Sequence, residues 1–416
     1  MSLLVRKYGG SSLKSPERIR AVADRVVEAA QRGPLVIVVS AMGDTTDYLI
    51  EQARLLSTKP EGRELDMLLS TGEQVSASFL ALALHERGYA AISLAGWQAG
   101  IRTDSSFSAA RIRAINSERI QHELSAGRVV IVTGFQGIGD ETGWDEVTTL
   151  GRGGSDATAV ALAAGLKADR CEIYTDVAGI YTADPHLVPD ARKLTHITYE
   201  EMLELAQYGA QVMMPRSVEM AQVWHVPLEV RSSYTAETGT LIGATMEYAN
   251  RIAGVAHQAQ VAKVTFVGLA DRPGIAKTVF AALAARRVNA DLIVQNVGHS
   301  GRTDLSFTVR EEDLEAALDA ANQVCADVDA QQVTSKGGMA KVSVVGAGLS
   351  STLEYASTMF GTLADLGINI EMISTSGIRI TCVIEGNRVA DAVRGLHRAF
   401  GLEKEGHPWG TRQATA

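Results

Sequence analysis

One stretch of this chain occurs twice. Ala262-Lys263-Val264-Thr265-Phe266-Val267-Gly268 returns as Ala340-Lys341-Val342-Ser343-Val344-Val345-Gly346. Each copy is a β run closed by glycine, and each leads through a loop into a helix, marked by Val279-Phe280 and then by Met359-Phe360. Asn289-Ala290-Asp291-Leu292-Ile293 likewise matches Asn369-Ile370-Glu371-Met372-Ile373. A further β run (304–309; 379–384) and a second helix (312–325; 387–399) complete each copy. The order β-α-β-β-α is close to the ferredoxin-like split βαβ unit. Two copies are too few for a stacked solenoid. The C-terminal part is therefore a pair of small α/β modules, which serve either as duplicated packing units or as a ligand sensor.

The part before the repeat follows a different pattern. Ser15-Pro16-Glu17 reads as an N-cap with proline at the first helical position, and Ile19, Val22, Val26 and Ala30 mark one face of the helix that follows. Leu35-Val36-Ile37-Val38-Val39 is a continuous apolar run, as expected of a strand buried on both faces of a mostly parallel sheet. Helices are expected near 45–57, 73–87, 109–126, 155–167 and 199–207. They alternate with strands at 3–5, 90–94, 129–132, 171–174 and 228–231, and the pattern fades near Gly243. This is a layered α/β domain.

A length of 416 residues suits two or three domains, and 46% hydrophobic residues can build their cores. The net charge of −9 makes the chain a poor partner for a nucleic-acid backbone. Any anion must be held by local chemistry. Cys171, Cys325 and Cys382 form no C-x-x-C pair, and the 9 histidines are scattered, which argues against a disulfide framework and a thiolate or histidine metal site. The N-terminus lacks a leader pattern, and no apolar run is expected to reach membrane-spanning length. A soluble cytoplasmic protein is the expectation.

Four segments carry candidate chemistry. In Val5-Arg6-Lys7-Tyr8-Gly9-Gly10-Ser11-Ser12 a strand ends in lysine, and two glycines and two hydroxyls precede a helix. Bare backbone amides, a helix N-terminus and the Lys7 charge would cradle a phosphate. A Gly-Gly turn with a solvated lysine fits the same residues. The spacing matches neither a Walker A loop nor a protein-kinase glycine loop. Gly151-Arg152-Gly153-Gly154-Ser155-Asp156 sets a guanidinium among glycines at a helix mouth, suited to a carboxylate. Glu73, in Ser70-Thr71-Gly72-Glu73, can hold an ammonium or can be an ordinary first-turn acid. The run from Tyr174 to His186 is a strand end followed by hydroxyls, acids and an aromatic, as a nucleotide pocket needs.

Taken in order, these segments resemble the aspartate kinases of the amino-acid kinase superfamily, with two C-terminal ACT domains. Lys7-Tyr8-Gly9-Gly10-Ser11-Ser12 fits the family pattern without departure, and Ser40-Ala41-Met42-Gly43-Asp44-Thr45-Thr46-Asp47, Gly134-Phe135-Gln136-Gly137, Val230-Arg231-Ser232-Ser233 and Gly239-Thr240-Leu241-Ile242 keep the family's order. The resemblance covers essentially the whole chain. It implies a three-layer α/β/α, carbamate-kinase-like domain over 1–245 and ferredoxin-like βαββαβ ACT domains over 246–335 and 336–416, with 250–258 joining the second as a strand.

The implied activity is ATP-dependent phosphorylation of the β-carboxylate of L-aspartate, with Mg²⁺. It is the first step toward lysine, threonine and methionine. Lys7 and Asp156 are then catalytic, with Asp156 orienting Lys7. Lys7, Tyr8, Gly9, Gly10, Ser40, Thr175, Asp176, Tyr181, Asp184 and His186 are expected around ATP. Glu73 would hold the substrate amino group and Arg152 its α-carboxylate, with Thr46, Gly153, Gly154 and Ser155 adding contacts. No metal ligands are assigned. Three positions depart from the family. His186 stands where arginine is frequent, Gln211 where many members have lysine, and Gly377 where relatives often have an acid. Arg216 either compensates for Gln211 or serves an ordinary helix start.

The ACT pair implies feedback by threonine, lysine or both. The expected effector residues are Asp271, Gly274, Ile275, Ala276, Gln295 and Asn296 in the first unit, and Asn369, Ile370 and Ser376 in the second. Losing the acid at Gly377 weakens the case for lysine more than for threonine. The resemblance implies a homodimer or, through an internal start at Met246, an α2β2 complex. Other amino-acid kinases and an inactive sensor are the competing readings. The intact set Lys7, Glu73, Arg152 and Asp156 opposes the latter.

Overall fold

The computed structural model describes residues 2–139, 141, 143–209, 212–244, 252–297, 301–349 and 353–404. Gln211 and Met246 lie outside the described residues. The chain packs as two units. One comprises Met1–Ile180, Lys193–Gln207 and Gln211–Met246; the other comprises Tyr181–Arg192, Tyr208–Ala210 and Glu247–Ala416. Two segments placed in the first domain by sequence, Tyr181–Arg192 and Tyr208–Ala210, thus cluster with the second unit.

In the first unit the elements run β1 (Leu4–Tyr8), α1 (Pro16–Ala30), β2 (Leu35–Val39), α2 (Thr45–Leu56), α3 (Arg63–Leu69), α4 (Thr71–His85), β3 (Ala91–Leu94), β4 (Ile101–Thr103), β5 (Ile112–Ile115), α5 (Glu118–Ser125), β6 (Val129–Thr133), β7 (Gln136–Gly139) and β8 (Glu146–Thr149). There follow α6 (Gly154–Gly165), β9 (Arg170–Thr175), β10 (His196–Thr198), α7 (Tyr199–Gln207), α8 (Pro215–Val223), β11 (Leu228–Ser232) and β12 (Thr240–Gly243). Eight strands form one sheet in the order β10-β12-β11-β9-β1-β2-β6-β3. From β9 to β3 every neighbour pair is parallel, and β2 and β6 are buried along their whole length. The chain moves from β1 to β2 on one side and later to β9 on the other. The carboxyl end of β1 is therefore a topological switch point, where open α/β sheets hold ligands.

The Ser15 side chain accepts from the Arg18 N–H and starts α1 as its sequence predicts. The helix expected over 109–126 is shorter than its spacing suggested. Residues 112–115 form β5, paired with β4, and only Glu118–Ser125 is helical. Ile112 and Ile115 suit either period, and pairing decides between them. β5, β4, β7 and β8 form a separate four-stranded sheet. The expectation about apolar runs also needs correction. Arg63–His85 is a helical stretch of 23 residues, long and apolar enough by length and composition to span a membrane, and 50% of its most apolar window is buried in the protein.

In the second unit the order is β13 (Gly254–Ala270), α9 (Ile275–Ala285), β14 (Ile293–Val297), β15 (Arg302–Arg310), α10 (Leu314–Val324), β16 (Gln332–Val345), α11 (Glu354–Asp365), β17 (Met372–Ser376), β18 (Arg379–Glu385) and α12 (Val389–Ala399). The repeat becomes one six-stranded sheet, β14-β15-β13-β16-β18-β17. Its two central strands are long because each serves both copies. Val261 to Val267 of β13 pair with Gln332 to Met339, while Gly254 to Gln258 pair with Lys341 to Val345. Val264, Phe266, Val279 and Phe307 build one core, and Val342, Val344, Met359 and Leu396 build the other.

Candidate active site

The site is assembled at the carboxyl ends of β1, β2, β6 and β9. Lys7 sits next to the last residue of β1. Its Nζ is 2.7 Å from the Asp156 carboxylate, in the first turn of α6. Asp156 is 6% exposed, and Lys7 is largely covered. The ion pair holds the lysine at the strand end.

The second glycine of the pair, Gly10, is required by close packing. A β-carbon there would lie 2.8 Å from the Gly43 carbonyl oxygen and 2.9 Å from that of Ala41. The Gly43 N–H also donates to the Gly10 carbonyl at 3.0 Å. The strand-end loop and the 40–43 turn are thus pressed together. An open cavity of about 640 Å³ adjoins them, lined by Ser11, Lys14, Met42, Gly43, Asp44, Thr45 and Tyr48. The Tyr8 side chain is fully buried and stacks on Tyr174 with ring centroids 4.7 Å apart, so only its backbone is available to the cradle.

Glu73 lies on the other side of the 40–43 turn. It is 2% exposed, in the first turn of α4. Its Oε1 accepts from the Ala41 N–H at 3.1 Å, while Oε2 is buried with no hydrogen-bond partner. Burial pushes its carboxyl up to about 7, against the lowering effect of the backbone N–H bonds. A buried oxygen without a donor is suited to a cationic ligand group, since leaving it unmet is costly. The neighbouring Ser76 hydroxyl donates to the Ser40 carbonyl at 2.7 Å, which ties α4 to the end of β2.

Arg152 is exposed and makes no ion pair or hydrogen bond among the described residues. It sits in a turn with Gly153 in the left-handed region (φ +72), where a β-carbon would fall 1.7 Å from Met214 Cγ. Ser155 is buried against Gly134 at the end of β6. Thr46 is half-buried in the first turn of α2. Arg216 is directed at backbone carbonyls, with Nη2 3.1 Å from Ala110 O and Nη1 3.4 Å from Leu150 O. Burial lowers its pKa. These contacts fit a brace for the Arg152 turn.

The structure thus gathers Lys7, Gly9, Gly10, Ser40, Glu73, Gly153, Gly154, Ser155 and Asp156 around the ends of adjoining strands, with Thr46 on α2. Thr175 and Asp176 are at the end of β9, linked to each other by a 3.0 Å hydrogen bond. Tyr181, Asp184 and His186 belong to the second unit. There the Asp184 carboxylate accepts from the His186 N–H at 2.9 Å and starts a turn. Sequence reasoning missed Asp66 and Ser76, and named Gln136 only within a family segment, with no role. Asp66 is a fully buried carboxylate, and Gln136 donates to the Ser70 carbonyl at 2.8 Å. An acid within the apolar spacing of Leu65, Leu68 and Leu69 was the available signal.

In the second unit Asp271, Gly274, Ala276, Gln295, Asn296, Asn369 and Ser376 are exposed; Ile370 is half-buried and Ile275 buried. Gln295 and Asn296 are on β14 and Ser376 on β17, the two outer strands of the sheet. One chain does not bring these two sets together.

Known proteins share this arrangement. The amino acid kinase family matches residues 2–232, and an ACT domain matches 264–324 and 342–400. The aspartokinase of Geobacillus stearothermophilus is 50% identical over 408 residues, covering 97% of this chain and 98% of its own. E. coli aspartokinase III, solved in complex with aspartate and ADP (R-state), is 25% identical with a TM-score of 0.79, covering 95% of this chain and 99% of that one. The same E. coli protein with lysine and aspartate (T-state) superposes with a TM-score of 0.73 at 25% identity, covering 96% and 99%. The chain belongs to the amino acid kinase family, among its aspartokinases with paired ACT domains.

Proposed function

We propose that this aspartate kinase phosphorylates the β-carboxylate of L-aspartate with ATP at the ends of β1, β2, β6 and β9. The observation that carries this reading is the partnerless Glu73 Oε2, buried across one turn from the Lys7 cradle. The substrate carboxylate is already ionised at neutral pH, its reference pKa being ~4, so no general base is required. The protein's tasks are alignment and neutralisation of charge. Glu73 receives the ammonium group and Arg152 the α-carboxylate, which leaves the β-carboxylate facing the cradle. Thr46, Gly153, Gly154 and Ser155 complete the substrate pocket. Lys7, held by Asp156, and the Gly10 amide draw charge from the transferring phosphoryl group, while the Gly9 N–H already donates to the Tyr174 carbonyl at 3.3 Å and lends Gly9 a shaping role only. Ser40, Thr175, Asp176 and the Tyr8 backbone accompany the nucleotide.

Among the described residues no three His, Cys, Asp or Glu side chains cluster as a metal site. Mg²⁺ would be carried mainly on nucleotide phosphates and water. When bound it would neutralise phosphate charge, and Asp176, at the end of β9, is a carboxylate that could face it.

The regulatory reading is that threonine, lysine or both bind the exposed β14 and β17 edges and favour a less active state. Since those edges are apart in one chain, a site using both draws on two copies, which supports a homodimer. The lysine-bound T-state of the E. coli relative is consistent with an effector of this class. We place the enzyme in the cytoplasm, at the first step toward lysine, threonine and methionine. The acceptor is tested by ATP turnover with aspartate, glutamate and uridylate in parallel. Turnover with aspartate alone is expected, and turnover with glutamate or uridylate but not aspartate would defeat the reading.

A further inference from the structure

Asp66 is 0% exposed, in α3, one turn before the Ser70-Thr71-Gly72-Glu73 run. No lysine or arginine pairs with it among the described residues. Its carboxylate is met instead by neutral donors from two distant segments. The Ser108 N–H lies 3.0 and 2.9 Å from its two oxygens, and the Ser108 hydroxyl 2.9 Å from Oδ1. The Thr149 N–H donates to Oδ2 at 2.7 Å and its hydroxyl to Oδ1 at 2.9 Å. A buried carboxylate accepting this many hydrogen bonds fixes the position of its donors.

Both donors border the Arg152 turn. Thr149 ends β8, two residues before Gly151. Ser108 has φ +63, a left-handed conformation that a non-glycine residue holds only when its surroundings impose it. Its carbonyl oxygen would stand 3.1 Å from a β-carbon at Gly151, and the Ala110 N–H bonds the Thr149 carbonyl at 2.9 Å. On the other side, the Asp66 carbonyl accepts from the Ser70 N–H at 3.0 Å, at the junction between α3 and the helix that carries Glu73. One buried carboxylate therefore clamps the Arg152 turn to the helix pair bearing Glu73.

We propose that Asp66 is a positioning residue for the amino-acid substrate: it sets the separation between the ammonium anchor Glu73 and the carboxylate anchor Arg152. The inference rests on the reading of those two groups given above. The Asp66 carboxylate takes all of these donors from two loops that border the pocket, so it holds those loops in place as well as filling space. The nucleotide cradle, built on β1 and β2, takes no bond from Asp66.

Asp66→Asn turns one acceptor oxygen into a donor facing N–H groups. Its KM for aspartate is expected to rise about tenfold or more, with the KM for ATP within about twofold of wild type. The thermal shift given by aspartate shrinks, and that given by ADP persists. Thr149→Val, nearly isosteric and lacking one donor, moves the aspartate KM in the same direction by less, and carries the test if Asp66→Asn does not fold. An unchanged aspartate KM in the folded variants overturns the inference, as does an equal rise in both KM values. The wild-type arm separates the two claims. If wild type does not use aspartate, the functional reading falls and this inference with it; if wild type does and the variants match it, only the inference falls.

Discussion

At the scale of single residues, the site is a set of charges placed where burial makes them matter. Glu73 shows the cost. Its carboxyl is raised from 4.5 to about 7 in the folded protein, so the folded state holds a proton that the unfolded state has released. Stability from this group therefore falls as pH rises from about 4.5 through 7 and stays low above. Glu73→Gln is expected to raise stability at pH 8 by on the order of 2–3 kcal/mol, read from the denaturant midpoint, while raising the KM for aspartate. In wild type, aspartate affinity should weaken as pH drops below about 7, because the ammonium needs the ionised form; the Gln variant should lose that limb. Lys7, Glu73 and Arg152 stood out as candidates in the sequence because each accompanies glycines at a helix start, whereas the role of Asp156 came with the family resemblance. Asp66 was not, because a fully buried acid on a short helix looks like any surface acid until its partners, 42 and 83 residues away, are known.

At the scale of elements, continuous apolar runs and capped helices were readable. β2 and α7 have the expected bounds, and α1 starts at its Ser15 cap. The four-stranded sheet was not readable, since its strands are three or four residues long and partly exposed. Charge within strands was also hidden. Glu172 on β9 and Glu229 on β11 sit side by side, 2% and 1% exposed. Arg6 lies 2.7 Å from Glu172 and Arg170 2.8 Å from Glu229, with Arg231 near both. This network crosses the strands that end at the site. Glu172→Gln leaves Arg6 buried without its counter-charge and should cost about 3 kcal/mol, measured by chemical unfolding, with Asp156 and Glu73 unaltered.

At the scale of the whole molecule, the two-module repeat was visible in the sequence, but the sharing of β13 and β16 between modules was not, because pairing partners lie far apart. Nor was the membership of Tyr181–Arg192 in the second unit. That segment continues from β9 and places Ala183 and Val188 in the core of the second ACT module. The buried Thr182 hydroxyl bonds His397 Nε2 at 2.9 Å and accepts from the Arg192 N–H at 2.9 Å. Thr182→Val should destabilise by about 1–3 kcal/mol and, on the regulatory reading proposed above, shift the effector concentration giving half inhibition. An unchanged inhibition curve would separate this segment from regulation.

The most direct test of the account is the identity of the acyl phosphate. Wild-type protein incubated with ATP, Mg²⁺, L-aspartate and hydroxylamine should yield β-aspartyl hydroxamate by mass spectrometry. Lys7→Ala, folded by circular dichroism, should yield almost none. Absence of the β-hydroxamate from wild type, or undiminished formation by Lys7→Ala, would contradict it.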